Sequence, residues 1–315
     1  MFSRKELSRQ IKEQAGALGF DACGIVRAEP LKEEKYRLLD WLARGYNGEM
    51  DYMAGNVDKR TDPTLLVPGS KSVVVVRLNY YPGKYYDNHK QDIPKISRYA
   101  IGRDYHKVIR KKLKQLLARI SEKVTSVNGR FFVDSAPVLE RAWARRAGLG
   151  WIGKNSMLVA RQGGSYFFIG ELILDLELAY DHPEPADYCG TCTRCLDACP
   201  TGAILPNRTV DATRCISYWT IEYKKETFPQ DAPVNFRDWI FGCDICQEVC
   251  PWNRKARPHH IPDFLPDEKR LSLTREVWKK MTEEEFHDLF AGTPLMRTGL
   301  RRIKRNVEVR NSKLK

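Results

Sequence analysis

Long apolar segments are absent from this sequence of 315 residues. No run of about eighteen apolar residues occurs, which excludes a simple membrane-spanning helix. The start of the chain, MFSRKELSRQIKEQAGALGF, does not form a secretory signal either. It predicts an amphipathic helix with Phe2, Leu7, Ile11 and Leu18 on one face. We therefore expect a cytoplasmic protein.

Acidic residues are the second shortage. The chain has 40 Asp and Glu against 53 Lys and Arg, a formal net charge of +13. This indicates either a polyanionic partner such as nucleic acid or simply a basic surface. The chain after Met296 is either a phosphate-contacting arm or a solvated end. Its basic residues are Arg297, Arg301, Arg302, Lys304, Arg305, Arg310, Lys313 and Lys315. The stretch RKKLK, residues 110–114, is the next basic candidate.

Cysteines, in contrast, are plentiful, and the chain has nine. A reducing cytoplasm disfavours disulfides, so clustered cysteines indicate metal or redox chemistry there. The odd number suggests eight ligands and one spare. Cys23 stands alone in a predicted strand, FDACGIV, and we expect it to be an inert buried thiol.

The spacing of the clustered cysteines distinguishes the kinds of metal site. They form two runs, Cys189-x2-Cys192-x2-Cys195-x3-Cys199-Pro200 and Cys243-x2-Cys246-x3-Cys250-Pro251. C-x2-C-x2-C-x3-C-P is the pattern of bacterial ferredoxins, in which three close thiolates bind one cubane and the fourth binds the other. A zinc site needs two ligands per knuckle and no C-x3-C-P end. Two 4Fe–4S clusters are therefore favoured over zinc.

The ferredoxin pattern predicts that each cluster takes a ligand from the other run. The first cluster is assigned Cys189, Cys192, Cys195 and Cys250, and the second Cys199, Cys215, Cys243 and Cys246. The second run lacks its usual first cysteine, so Cys215 is expected to fill that place from a distance.

Residues 1–180 alternate strand and helix patterns, which predicts an α/β or α+β domain. The strands are expected in FDACGIV, SVVVVRLNYY, RFFVDS, SMLVAR and SYFFIGELILDLEL, and the helices in DYHKVIRKKLKQLLARISEKV and APVLERAWARRAG. The composition changes from Asp181 onward. We therefore divide the chain into residues 1–180, a ferredoxin-like domain over 181–258, and a helical segment with a basic tail over 259–315.

The stretch AGLGWIGKN contains the letters of two nucleotide-binding motifs. Gly148-x-Gly150-x-x-Gly153 spells a dinucleotide fingerprint, and Gly148-x4-Gly153-Lys154 nearly spells a phosphate loop. Both motifs follow a strand and precede a helix, whereas here the order is reversed. We expect Gly148 to cap a helix and the rest to be a loop where the backbone approaches a ligand closely, with no nicotinamide or ATP inferred.

Four stretches resemble the epoxyqueuosine reductase family: VDKRTDP, SRYAIGRDYHKV, VDSAPVLERAWARRAGLGWIGKNSMLV and CISYWTIEYK. The resemblance covers nearly the whole chain and the order of its motifs. It implies a nitroreductase-like, cobalamin-binding core followed by a double-cluster ferredoxin-like domain. The implied reaction reduces epoxyqueuosine to queuosine at the wobble position of tRNA, the last step of queuosine biosynthesis. Many members add a C-terminal helical-repeat domain, and we expect a short form without it.

The resemblance also implies roles for single residues. Asp134 would be the proton donor facing the cobalt, although its sequence position alone suggests a helix N-cap before Pro137. Arg60, Ser97, Leu158, Ile169 and Ser217 would line the corrin with Asp134, several of them through backbone atoms. His106 is expected to be a hydrogen-bonded helix residue and not a cobalt ligand.

Reductive opening of an epoxide requires low-potential electrons and a proton for the departing oxygen. RFFVDSAPV supplies apolar neighbours, so we expect the pKa of Asp134 to rise above its usual value of about 4. The implied partners are a tRNA anticodon stem-loop and an external low-potential electron donor, and we expect a monomer.

Two other functions are compatible with part of the sequence. A reductive dehalogenase-like enzyme would share cobalamin and two clusters, but such proteins typically begin with a twin-arginine signal, and none is present here. An iron–sulfur electron-transfer protein would leave the first 180 residues without a purpose.

Overall fold

The computed structural model describes residues 2–83, 92–183, 186–230, 232–233 and 236–309. The helices are α1 (Arg4–Ala17), α2 (Lys32–Ala43), α3 (Val57–Thr61), α4 (Pro63–Leu66), α5 (Tyr105–Ser121), α6 (Glu140–Arg146), α7 (Arg194–Ala198), α8 (Ile245–Glu248), α9 (Glu268–Leu271), α10 (Arg275–Lys280), α11 (Glu283–Phe290) and α12 (Leu300–Glu308). The strands are β1 (Ala22–Arg27), β2 (Ser72–Asn79), β3 (Lys95–Ile96), β4 (Gly129–Phe132), β5 (Trp151–Ile152), β6 (Leu158–Val159), β7 (Phe167–Leu174) and β8 (Trp239–Phe241).

The main sheet has the strand order β1-β2-β7-β4, and all its neighbouring strands are antiparallel. The two central strands, β2 and β7, are buried on both faces. Their sequences are consequently almost continuous apolar runs, because neither face meets water. Helices α1 and α5 cover one face and α6 covers the other. The predicted α/β architecture is confirmed.

Helix α5 shows how the sequence sets this packing. Asp104 caps its start by accepting a hydrogen bond from the backbone N–H of His106 at 3.0 Å. Its apolar residues recur on one face, which packs against the sheet: Val108, Ile109, Leu113, Leu116 and Ile120. A Cβ on Gly170 of β7 would lie only 2.9 Å from Ile109, so glycine permits the close approach of helix and strand.

The helix predicted in APVLERAWARRAG is shorter than expected, because α6 begins only at Glu140. Its N-cap is Leu139, which makes no side-chain capping bond, so the N-cap role for Asp134 is wrong. Pro137 disfavours helical backbone in the residue before it, and residues 133–139 are therefore irregular. Gly148 follows the end of α6 with φ of +74°, as its predicted capping role requires.

Contacts cross the predicted boundary near residue 180. Strand β3 pairs in parallel with β8, which lies about 140 residues further along the chain. Phe264 is 4% exposed and belongs to the core beneath α1 and α5. The three-part division of the chain stays a prediction. In the residues that the structure describes, no helix is long and apolar enough to cross a membrane.

Candidate active site and cysteine centres

Asp134 lies just after β4 in a left-handed conformation, with φ of 54°. Two side chains at the start of α5 reach the same carboxylate oxygen. The Tyr105 hydroxyl donates to Asp134 Oδ2 at 2.7 Å, and His106 Nε2 lies 3.2 Å from that oxygen. The other ring nitrogen of His106, Nδ1, lies 2.7 Å from Asp104 Oδ1. Both nitrogens of His106 are thus hydrogen-bonded, as expected, but within the site itself.

The electrostatics of Asp134 differ from the expectation. Partial burial acts to raise the pKa of Asp134, but hydrogen bonds from His106 and Tyr105 outweigh it and lower the pKa below its usual value. Burial disfavours the charged form of His106, yet Asp104 and Asp134 raise the pKa of this residue to about 9. The predicted rise in the pKa of Asp134 is wrong, because polar partners and not apolar neighbours surround its carboxylate. At neutral pH the proton of this pair resides on His106.

Two further carboxyl groups lie behind Asp134. Glu140 accepts a hydrogen bond from the backbone N–H of Asp134 through Oε1. Burial, followed by the charge of Asp134, raises the pKa of Glu140 to about 8. Glu171 in the middle of β7 is 0% exposed, and among the described residues neither of its oxygens has a hydrogen-bond partner. Burial raises the pKa of Glu171 well above its usual value, and the charges of Glu140 and Asp134 raise it further.

We call the group of side chains around Asp134, formed by Tyr105, His106 and Glu140, the Asp134 corner. Two further residues near it come from distant parts of the chain. Arg297 Nη2 donates to both carboxylate oxygens of Glu222, at 3.3 and 3.4 Å. Burial acts to lower the pKa of Arg297, but the carboxylates of Glu222 and Asp134 raise it, which places all three side chains in one electrostatic environment.

The sequence interpretation missed Tyr105, Glu140 and Glu222 as site residues and did not give His106 a place in the site. The sequence contains a signal only for the pair formed by Asp104 and His106. Asp104 followed two residues later by a histidine predicts a capped helix start with a polar ring near it.

The residues predicted to line the corrin come from different elements of the structure. Leu158 and Ile169 are buried in one apolar cluster, on the face of α6. Ser97 donates its hydroxyl to Asp244 Oδ1 at 2.5 Å and its backbone N–H to the Phe241 oxygen at 2.8 Å, and its own backbone oxygen accepts from the Ala100 N–H at 2.9 Å. Ser217 precedes a π-helical turn, Tyr218–Glu222, that carries Glu222.

Arg60 gives a test of whether this region suits a corrinoid. Its Nη2 donates to the backbone oxygen of Tyr52 at 2.9 Å, while its buried Nε has no partner among the described residues. A buried, unsatisfied N–H suits a ligand rich in amide carbonyl and phosphate oxygens. The residues present therefore fit the group that the resemblance implies.

The cysteines outside β1 affect one another's pKa across the two runs. Burial raises the pKa of Cys195, and Cys189, Cys250 and Cys192 raise it further. Cys250 is in turn affected by Cys189 and Cys192, so the last cysteine of the second run lies beside the first run.

The second run lies close to the first as well. Burial raises the pKa of Cys246, with added effects of Cys215, Cys195 and Cys199, and Cys243 responds to Cys246 and Cys215. Cys195 and Cys199 of the first run are therefore both near the second run. Two ferredoxin-type cubanes that exchange a ligand between runs require this proximity, and the assignment of each cysteine to one cluster stays a prediction.

No three His, Cys, Asp or Glu side chains in the described ranges converge closely enough to share one metal ion. The four thiolates of a cubane bind four different irons and stand further apart than the ligands of a single ion. Cys23, as expected, packs against the core, where burial raises its pKa to about 12.

The AGLGWIGKN stretch connects the sheet domain to the first run. It supplies β5, which forms a hairpin with β6 after α6, so the helix-then-strand order is confirmed. The expectation of a loop throughout is wrong at Trp151 and Ile152, which pair with β6. Lys154 at its turn donates to the backbone oxygens of Gly190 and Cys192 at 2.8 and 3.0 Å. The lysine of the apparent phosphate loop instead binds the loop that carries the first cysteines.

The basic end of the chain is not a free arm over its described part. Helix α12 packs into the protein through Leu300, Ile303 and Val307. Arg305 is 7% exposed and donates to the backbone oxygens of Trp219 and Tyr223 at 3.0 and 3.2 Å. The phosphate-contacting role is therefore wrong for Arg305, because main-chain carbonyls occupy its guanidinium. Arg310, Lys313 and Lys315 lie outside the described residues.

An α/β sheet domain with a polar acid–base corner, joined to two adjacent runs of cysteines, defines an iron–sulfur oxidoreductase. Residues 60–135 match a family described as "Epoxyqueuosine reductase QueG, DUF1730", and residues 188–253 match a "4Fe-4S double cluster binding domain". The chain is 51% identical to the epoxyqueuosine reductase of Cyclobacterium marinum over 94% of both chains. It is 42% identical to that of Escherichia coli, covering 96% of this chain and 80% of the relative. The chain belongs to the epoxyqueuosine reductase family, and the predicted pair of 4Fe–4S clusters is confirmed.

Solved structures agree with this assignment. The epoxyqueuosine reductase of Streptococcus thermophilus is 28% identical, with a TM-score of 0.86 over 95% of this chain and 79% of that chain. An epoxyqueuosine reductase crystallised with a tRNA-Tyr epoxyqueuosine-modified stem loop is 31% identical, with a TM-score of 0.85 over 97% of this chain and 80% of that chain. The reductive dehalogenase NpRdhA is only 17% identical, with a TM-score of 0.51, and shares the fold alone.

Proposed function

We propose that this chain reduces the epoxide of epoxyqueuosine in tRNA to the alkene of queuosine, in the cytoplasm and at the wobble position. The single observation that carries the proposal is the likeness to a reductase crystallised with an epoxyqueuosine-modified stem loop, over 97% of this chain. The Asp134 corner supplies the acid–base groups that this chemistry needs.

Removal of an epoxide oxygen as water consumes two electrons and two protons. Cys189, Cys192, Cys195 and Cys250 would hold one 4Fe–4S cluster, and Cys199, Cys215, Cys243 and Cys246 the other. Arg60, Ser97, Leu158, Ile169, Ser217 and Asp134 would line a cobalamin. Bound cobalamin would supply a strongly reducing centre next to the substrate.

The chain's own residues hold the protons. At neutral pH one proton lies on His106, whose pKa is about 9, and a second lies on Glu140, whose pKa is about 8. Both residues contact Asp134, His106 at the Oδ2 carboxylate oxygen and Glu140 at the backbone N–H. Tyr105 and His106 both bond to Oδ2, so Oδ1 is the oxygen that can face the substrate. Asp134 would take the proton from His106 through Oδ2 and pass a proton on to the departing oxygen.

An Asp134→Asn variant tests this assignment. The amide keeps the shape of the side chain but cannot carry the proton, so turnover of epoxyqueuosine tRNA should fall at least about 100-fold. Iron content and the visible spectrum should not change. Asp40→Asn, an exposed carboxylate on α2, is the matched control and should keep full activity. Near-normal turnover by Asp134→Asn would exclude Asp134 as the donor.

A His106→Gln variant tests the source of the proton. In the native protein, activity should decline as pH rises through about 9, where His106 loses its proton. Glutamine can keep a hydrogen bond to Asp134 but does not titrate. The variant should be slower and should lack this alkaline decline, and an unchanged pH profile would contradict the role of His106.

We further propose that exposed basic residues bind the tRNA backbone, with Arg301 as a candidate. Its side chain is 78% exposed and its guanidinium pairs only with Glu226 among the described residues. Arg301→Gln should weaken tRNA binding and lower the slope of log affinity against log salt by roughly 0.7 to 0.9 if one phosphate contact is lost. An unchanged slope would move this role to other basic surface, beginning with residues 110–114.

A further inference from the structure

We propose that the exposed flank of the first cysteine run is the docking surface of an acidic one-electron carrier protein. This inference rests on the proposed function, because reduction of the substrate needs electrons from outside the chain. We name this flank the entry surface and define it by Arg161, Tyr188, Arg194, Trp252 and Lys255.

An aromatic platform forms the base of the entry surface. Tyr188 immediately precedes Cys189, and Trp252 follows Cys250 by two residues. Their rings meet edge to face with centroids 5.7 Å apart, and Trp252 Nε1 donates to the Tyr188 backbone oxygen at 3.3 Å. Trp151 contacts both rings from the sheet domain, at 4.9 and 5.0 Å. The platform thus flanks Cys189 and Cys250, two of the ligands proposed for the same cluster.

Cations are held on this platform. The guanidinium carbon of Arg161 lies 5.2 Å from the centroid of the Tyr188 ring, and Lys255 Nζ lies 4.7 Å from that of Trp252. Both residues are exposed. Cation–π contact restricts such side chains without neutralising them, so the positive charge remains available to a partner.

Nearby groups leave this charge largely uncompensated. Arg194 is exposed on α7, between Cys192 and Cys195. The Asp187 carboxylate is paired with Arg208, and Asp197 accepts a hydrogen bond from Thr193 at 2.7 Å. Within the described residues, Arg161, Arg194 and Lys255 form no ion pair that would cancel their charge.

The position of the surface favours an electron carrier over other anionic partners. Electron transfer slows steeply with distance, so a donor has to approach a cluster closely. Residues 243–253 of the second run include no exposed residue, whereas the first run is exposed at Gly190, Thr191 and Thr193. A basic surface at that exposed point attracts an acidic carrier and speeds its encounter in a salt-dependent way.

The test is a stopped-flow measurement on the full chain with both clusters reconstituted anaerobically and oxidised. Flavodoxin hydroquinone, an acidic one-electron donor, is mixed with it, and cluster bleaching is followed in the visible. The double variant Arg161→Gln with Lys255→Gln should lower the second-order rate about tenfold at low salt and flatten its salt dependence. Reduction by dithionite should be unchanged. Lys32→Gln with Arg37→Gln, which removes two exposed charges from α2, should behave as the native protein.

The charge-conserving double variant Arg161→Lys with Lys255→Arg should keep most of the rate. An unchanged flavodoxin rate in the glutamine variant would overturn the proposal. So would slower reduction by dithionite, since the cations would then act on the cluster itself. If the glutamine variant kept the flavodoxin rate but bound tRNA more weakly in a separate binding assay, the surface would be assigned to tRNA instead. The stopped-flow assay contains no tRNA, so failure of this proposal is distinguishable from failure of the proposed function.

Discussion

The two cysteine runs have similar ligand spacing and opposite surroundings. Residues 186–200 include no buried residue, and their main bonds to the sheet domain come from Lys154 and Arg208. In residues 243–253, Asp244, Gln247 and Asn253 are buried and none is exposed. The spacing of cysteines therefore specifies a cluster, while the residues between them decide whether it faces solvent or the core.

The buried run is also a structural junction. Asp244 is 0% exposed and accepts hydrogen bonds from the Ser97 hydroxyl and the Arg98 backbone N–H, at 2.5 and 2.8 Å. Asn253 bonds to the Ser165 backbone N–H at 2.7 Å and to the Gln247 backbone oxygen at 2.7 Å. Perturbation of the second run should consequently affect folding as well as electron transfer.

The largest difference in stability between the two runs is expected when a single cysteine is removed from one run or from the other. Cys192→Ser and Cys246→Ser should each lower iron from about eight to about four atoms per chain. Cys246→Ser should also lower the thermal unfolding midpoint and the yield of folded protein much more, since folding is coupled to cluster binding at the buried run. Iron analysis and circular dichroism of both variants measure this. Equal loss of stability would contradict the comparison.

The next largest difference in stability is expected when the arginine that forms an ion pair with each run is replaced. Arg98 contacts Asp244 and Glu248 at 3.2 and 2.6 Å with its side chain 11% exposed. Arg98→Gln should destabilise the protein by about 3 to 5 kcal/mol, because it leaves a buried carboxylate unpaired. Arg208→Gln, at the half-exposed pair with Asp187, should cost about 1 kcal/mol or less. Urea midpoints of the reconstituted variants test the ranking, and the reverse order would refute it.

Replacement of a neutral polar residue should also destabilise the protein more in the second run than in the first, by a smaller margin. Asn253→Ala removes the two bonds described above and should cost about 1 to 3 kcal/mol. Thr193→Ala removes one exposed hydrogen bond to Asp197 and should stay within about 0.5 kcal/mol. The same urea measurement applies, and matching midpoints would show that burial does not separate the runs.

The two runs should differ least in how stability depends on pH, because His106 causes this dependence and lies in neither run. The pKa of His106 is raised to about 9 in the folded protein, so its stabilising contribution is complete below about 6.5 and is lost as pH rises through 9. The midpoints of the native protein and of Arg208→Gln should fall in parallel over this interval. His106→Gln should lack this component, and an unchanged decline in that variant would exclude His106 as its cause.

Sequence reasoning was most successful where a local pattern decides the outcome. The apolar runs of β2 and β7, the capped start of α5 and the pair of 4Fe–4S clusters all follow from local patterns. The polarity of the Asp134 corner did not, because Tyr105, Glu140 and Glu222 are brought together only by the fold. The apolar letters beside Asp134 suggested burial but did not show that His106 reaches Oδ2. Burial of Arg305 was also hidden, since its partners are backbone oxygens and no side-chain pattern specifies them.

The pairing of β3 with β8 also sets an order in time. During synthesis β3 has to wait until residues 239–241 emerge from the ribosome before it can pair, and the core under α1 and α5 has to wait for Phe264. Helix α12, which holds the backbone around Tyr223 through Arg305, emerges later still. Insertion of the iron–sulfur clusters is therefore expected to be a late event of maturation, after translation has passed residue 305. A cell that is short of iron would then accumulate translated protein that lacks only its clusters.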